Sequence, residues 1–277
     1  MSDTPKNSLP TYFISHGGGP WPWIKDQMPG DWSKLEESLR RIPLELGATP
    51  RALLVVSGHW EESEFTVQTN PKPPMLYDYG GFPEFTYHIE YPAPGSPEVA
   101  QRVVELLSAA DIAVATDDSR GFDHGVFAPM FVSYPEANVP IVGLSMKRGL
   151  DPAEHLAVGR ALAPLRDEGV VIIGSGLSYH NLSDFGPNAL AASAAFDQWL
   201  GEVSTAMIGH TRSAHLVEWE AAPKARQCHP REDHLIPLMV AVGAAESERS
   251  ERIYFEKGFM GNVTTSSYRF GEAPVDA

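Results

Sequence analysis

Short runs of apolar and β-branched residues recur along the chain, at 11–15, 52–57, 112–116, 140–145 and 170–174, and each leads into a turn segment, most of them carrying glycine. Between them lie stretches with apolar residues at helical spacing, at 31–41, 97–109 and 151–165. Strands that alternate with helices predict βαβ units and a mainly parallel sheet flanked by helices. Asp151-Pro152-Ala153-Glu154 has the form of a helix start, with an aspartate cap, a proline in the first turn and an acid three residues on. Further helices are expected at about 190–208 and 234–245. Residues 253–270 predict two strands joined near Gly258 and Gly261, an antiparallel C-terminal edge. Residues 71–81 are expected as a long surface loop. No repeat and no Pro-, Gly- or Ser-rich linker divides the chain, so the expectation is an α/β protein with a single catalytic domain at 9–271 and flexible tails at 1–8 and 272–277.

Composition narrows the function classes. The chain has 277 residues and a formal net charge of -15. That charge argues against nucleic acid and anionic membrane surfaces as partners, because phosphate binding rests on Lys and Arg. The single cysteine, Cys228, excludes an intrachain disulfide and a thiolate metal cage. Any metal must rest on His, Asp or Glu. The first residues are polar, and no apolar run approaches the roughly 20 residues of a membrane span, which gives a cytoplasmic expectation. The sequence does not specify the oligomeric state.

Histidines fall at informative places. His16 follows the first strand, His59 the second, and His180 lies a few residues past the run ending at Gly174. The carboxyl edge of an open parallel sheet is where ligands bind. One such histidine is most simply a turn residue hydrogen-bonded to backbone, but three at one edge point to a shared site, and imidazole is the commonest nitrogen ligand of metals. His124 follows the run at 112–116, beside Asp123. His234 stands at the start of the late helix in a cluster with His229, Glu232 and Asp233, any of which could complete a site, although the two acids also read as complements to the helix dipole. His88, His155, His210 and His215 lie among polar residues and are expected to be solvated.

At these residues the sequence resembles the class III extradiol ring-cleavage dioxygenases, and most closely their DOPA dioxygenase-like branch. The resemblance is carried by Phe13-Ile14-Ser15-His16-Gly17-Gly18-Gly19-Pro20, Ser57-Gly58-His59-Trp60-Glu61, Tyr77-Asp78-Tyr79-Gly80-Gly81-Phe82-Pro83 and Tyr91-Pro92-Ala93-Pro94-Gly95. It continues through Asp123-His124-Gly125, Gly174-Ser175-Gly176 with His180-Asn181-Leu182, and His229-Pro230 with His234-Leu235-Ile236-Pro237-Leu238. Each motif is short; their shared order over nearly the whole domain is the specific signal. The resemblance implies His16, His59 and His234 as metal ligands, His180 as acid/base and His124 as a second active-site histidine. It implies a catechol and O₂ as substrates, with Fe(II) for activity. His234 stands where the protocatechuate-cleaving members have a glutamate, and three neutral ligands suit Zn(II) as well as Fe(II). Trp60, Tyr77, Tyr79 and Phe82, with Trp21 and Trp23, are candidates for an aromatic substrate wall, although such rings also serve simply as core.

Two other enzyme classes compete. His16-Gly17-Gly18-Gly19 after a strand has the form of the oxyanion motif of α/β serine hydrolases. Among the glycine pairs four apart, Gly121 and Gly125 enclose Asp123 where the nucleophilic serine would stand, so that reading lacks its nucleophile. A zinc-dependent hydrolase would use the same histidines and a metal-activated water.

Overall fold

A computed structural model describes residues 8–275; of the tails expected at 1–8 and 272–277, residues 1–7 and 276–277 lie outside the described residues. The first half runs β1 (Thr11–Ser15), α1 (Trp21–Ile24), α2 (Ser33–Leu46), β2 (Ala52–Glu62), β3 (Phe65–Gln68), α3 (Pro97–Ala109), β4 (Val114–Asp117) and α4 (His124–Ser133). The second half runs β5 (Ile141–Lys147), α5 (Pro152–Leu162), β6 (Val170–Gly176), α6 (Pro187–Ala206), α7 (His210–Val217), α8 (Ala225–Cys228), α9 (Pro237–Ala244), β7 (Ser250–Phe259) and β8 (Val263–Phe270).

The eight strands form one sheet in the order β4-β3-β5-β2-β6-β1-β8-β7. Its centre, β5-β2-β6-β1, is parallel, and β8-β7 adds the expected antiparallel edge. At the other end β3 and β4 pair in parallel with each other, while β3 runs antiparallel to β5. The strand at 112–116 is therefore not part of the central parallel series; as β4 it sits on the far edge.

Central strands are apolar on both faces because both faces are covered. Period-two alternation in β6 shows this directly. Gly174 and Gly176 point at one face, where an added Cβ would overlap the carbonyl oxygens of Pro237 and His234. Ser175 points at the other and hydrogen-bonds the Gly125 carbonyl of α4. The glycines let the segment that carries His234 lie directly on the sheet.

Local signals set the helix ends. Asp151 Oδ1 accepts from Ala153 N and Glu154 N at 2.7 and 3.1 Å, so α5 starts as its sequence predicts. It stops at Leu162, earlier than expected, because Pro164 cannot supply an α-helical N–H and the chain tightens into a 3₁₀ turn. Pro237 takes the first turn of α9, which leaves His234 in the turn before the helix rather than in it. At the C-terminal end, Val275 N donates to Glu45 O at 3.0 Å, which seats residues after β8 on the end of α2.

Candidate metal centre

His16 leaves β1 with its backbone fixed at both ends. Its N–H donates to Gly176 O at 3.1 Å, and its carbonyl accepts from Trp21 Nε1 at 2.7 Å. Gly17 takes φ +84°, and an added Cβ there would overlap the Trp21 indole, so glycine is required for the turn.

His59 comes from an irregular stretch inside β2, not from beyond its end. β2 pairs with β5 up to Val56–Leu144 and resumes at Glu61–Met146, so residues 57–60 oppose Ser145 alone. Such bulges re-aim side chains beside functional sites. Here Ser57 Oγ accepts from His59 N at 3.2 Å and donates to buried Asp123 at 2.7 Å. Arg120 clamps the same carboxylate at 2.9 Å and reaches His59 O at 3.2 Å. Asp123 thus holds the bulge and orients no imidazole.

These segments bring His16, His59, His124, His180 and His234 together. The His16 ring lies 5.0 Å from that of His59, 5.1 Å from His234 and 5.2 Å from His124; His59 and His234 are 4.6 Å apart. His180 stacks on His234 at 3.4 Å, its backbone N–H held by Cys228 O at 3.0 Å. All five line one cavity of about 330 Å³.

Two carboxylates, Asp78 and Asp233, stand behind the rings. Asp78 Oδ1 accepts from His124 Nδ1 at 2.8 Å and from His124 N at 3.0 Å, and its Oδ2 lies 3.2 Å from His59 Nδ1. Asp233 Oδ2 lies 3.1 Å from His234 Nδ1, with Oδ1 3.7 Å from His180 Nδ1. Carboxylates on Nδ1 leave Nε2 as the lone-pair nitrogen. The Nε2 atoms of His59 and His234 face each other at 3.1 Å. Both ring nitrogens of buried His16 lack a hydrogen-bond partner, which is unfavourable in a protein interior. Two converging lone pairs and an orphaned imidazole are what a shared divalent cation would satisfy. The ligand atoms of His16, His59 and His234 all lie within 4.8 Å of one another. The groups His59–Asp78–His124 and His180–Asp233–His234 are also compact; Asp78 is hydrogen-bonded to His124, whereas Asp233 stands at ion-pair distance from His234 and His180. Glu232 is turned away and pairs with Arg226, so the alternative carboxylate ligand is not at the site.

Burial works first on these groups, lowering the imidazoles because it penalises their charged form. His16 and His234 fall well below the usual histidine value, and His59 falls to about 4. The rings are therefore neutral and can ligate near neutral pH. Burial pushes Asp78 and Asp233 upward, but the neighbouring imidazoles reverse it: the His124 hydrogen bond and charge, with His59, hold Asp78 at about 2, and His180 and His234 draw Asp233 below the carboxylate range. Removing the shared carboxylate tests its role. Asp78→Ala is expected to weaken Zn(II) binding, measured by calorimetric titration, about 10–100-fold.

Several expectations need correction. His229 does not join the cluster; its ring packs against Phe196 and Trp219, and Nε2 lies 3.1 Å from Ser178 O. Asp233 is not a helix-dipole acid, because it faces His180 and His234. His155 is buried, packed on Phe65 and bonded to Lys147 N, rather than solvated. Of the aromatic candidates, Tyr79 and Phe82 line the cavity. Trp60 is buried under Arg120 with its N–H on Glu62, and Tyr77 donates to Ile89 O, so neither faces the site. Trp21 stacks on Trp32, and Trp23 lies against Phe131. Asp78 stands in the quoted Tyr77–Pro83 motif, but its contacts with His59 and His124 are set by the fold.

Acid should destabilise the metal-free protein in a defined window. Burial lowers His229 to about 3 and His59 to about 4, from 6.5. The unfolded chain then binds more protons than the folded one below pH 6.5. Stability is full above that value and falls as pH drops toward the folded values. Denaturant midpoints are expected to decline steadily from about pH 6.5 to about pH 4; a flat profile there would contradict the buried-neutral assignment.

The fold and the site together define an α/β protein with a three-histidine centre backed by carboxylates. Residues 10–271 match the family described as the catalytic LigB subunit of aromatic ring-opening dioxygenase, and the chain belongs to that family. It is 38% identical to a 4,5-DOPA dioxygenase extradiol of Beta vulgaris, over 95% of this chain and 97% of that protein. It is 34% identical to a protein of the same name from Escherichia coli, over 95% of each. Among solved structures, an uncharacterized protein of Escherichia coli K12 superimposes with a TM-score of 0.76 at 29% identity, covering 95% of this chain and all of that one. Among the described residues no helix is long and apolar enough to cross a membrane.

Proposed function

We propose that this chain opens a catechol-type ring by extradiol cleavage, using O₂ and an Fe(II) ion held by His16, His59 and His234; the same donors accept Zn(II). The observation that carries the reading is the convergence of three neutral imidazoles, His16 and His234 buried and His59 partly so, at a cavity also lined by His124 and His180. The names of the relatives agree with it, since DOPA is a catechol. When bound, the metal supplies acidity to the catechol hydroxyls and a meeting point for catechol and O₂. The chain's own groups do the rest. His180 takes a proton from a substrate hydroxyl and returns one to the oxygen that leaves as the ring opens. His124, its Nδ1 tied to Asp78, offers Nε2 to a substrate oxygen. Tyr79 and Phe82 present aromatic surface. The carbon–carbon bond beside the two oxygenated carbons breaks, and both atoms of O₂ enter the product, a semialdehyde acid.

The test is anaerobic loading with Fe(II), then exposure of a catechol panel to isotopically labelled O₂ with mass spectrometry of products. Ring-opened product carrying both labelled atoms is expected. Full metal loading with no turnover of any catechol would overturn the reading.

A further inference from the structure

Beyond the imidazoles the cavity is walled by Met28, Phe82, Leu182, Phe185, Phe259 and Met260. Both methionines approach Gly18, where an added Cβ would sit 3.7 Å from Met28 Cε and 3.9 Å from Met260 Sδ. The turn carrying Met28 is seated on the β7–β8 hairpin, since Gly30 lies against the backbone of Met260 and Gly261. Among the described residues that line the cavity none is lysine or arginine, and its carboxylate, Asp78, is engaged with His59 and His124. Cations flanking these segments are committed elsewhere: Arg120 to Asp123, Arg231 to Glu61 and Lys25 to Glu36.

We infer that the catechol taken at this site carries a neutral, apolar substituent rather than a carboxylate, with Met28 and Met260 forming the subsite for it. The inference rests on the ring-opening reading for the catechol half of the ligand. A carboxylate entering this wall would lose its hydration and meet no lysine or arginine among the described lining residues. An alkyl group instead gains about four-fold in affinity for each buried methylene. Thioethers adapt to substituents of differing shape.

The matched probes are 4-ethylcatechol and 3,4-dihydroxyphenylacetate, whose side chains differ in methyl against carboxylate. Binding is measured calorimetrically on the Zn(II)-loaded protein under nitrogen, and kcat/KM on the Fe(II)-loaded protein in air. The ethyl compound is expected to be favoured about 100-fold in both. Met28→Arg is expected to shift both ratios toward the acid by at least 10-fold, as an introduced cation pairs with it. Equal or better binding of the acid, or of DOPA, by the unaltered protein would overturn the inference and leave the ring-opening reading intact. The expected binding ratio without turnover of either catechol would support the subsite and count against ring opening.

Discussion

His234→Ala is expected to strip the protein of most of its metal and, with it, turnover. Losing an outer partner of a metal ligand costs about 10–100-fold in affinity, and losing a ligand itself should cost more. No thiolate can substitute, because Cys228 is buried with its thiol pushed up to about 12 by burial. His16→Ala and His59→Ala should behave alike. His229→Ala separates the ligand role from the structural one: His229 packs against Phe196 and Trp219, so its loss should lower stability while metal per folded chain stays unchanged. Metal content by elemental analysis, alongside thermal unfolding, reads both. Full occupancy in His234→Ala would move the third ligand elsewhere.

The second large effect concerns His180, which lines the cavity and stacks on His234 without belonging to the three-histidine group. Positioned proton transfer contributes about 10²–10⁴-fold in rate. His180→Gln is expected to keep metal and catechol binding and to lose turnover by about that factor, or to divert the product. A merely structural His180, fastening its loop to Cys228 O, would instead show lower stability and unchanged turnover per metal-loaded molecule.

The elements legible in the sequence were those with an unbroken apolar run between turns or a cap. The runs at 11–15 and 170–174, and the Asp151 helix start, could be read because short apolar runs and capping chemistry are local signals. Helix α4 was not, since Val126-Phe127-Ala128-Pro129-Met130-Phe131-Val132 is apolar all round and carries a proline. Buried helices lose the amphipathic period. The short β3 escaped because four residues between turns carry little pattern.

The site shows the same division. His16, His59 and His180 could be placed because each sits next to a strand run. The bulge that turns His59 inward could not, since it depends on how β2 registers against β5. Nor could the carboxylates' part be assigned: Asp78 reaches His59 and His124 from a loop remote in sequence, and Asp233 is set by the turn before Pro237. Trp60 and Tyr77 are motif positions that do not line the cavity: Trp60 is buried under Arg120, and Tyr77, half-buried, is tied to Ile89 O.

X-ray absorption on the anaerobic, Fe(II)-loaded protein bears most directly on the claim that His16, His59 and His234 share one metal ion. The account predicts one iron per chain with three imidazole nitrogens at about 2.1 Å, and a loss of one imidazole in each of His16→Ala, His59→Ala and His234→Ala wherever iron is retained. A shell with a protein carboxylate in place of an imidazole, or an unchanged imidazole count in any of the three variants, would contradict it.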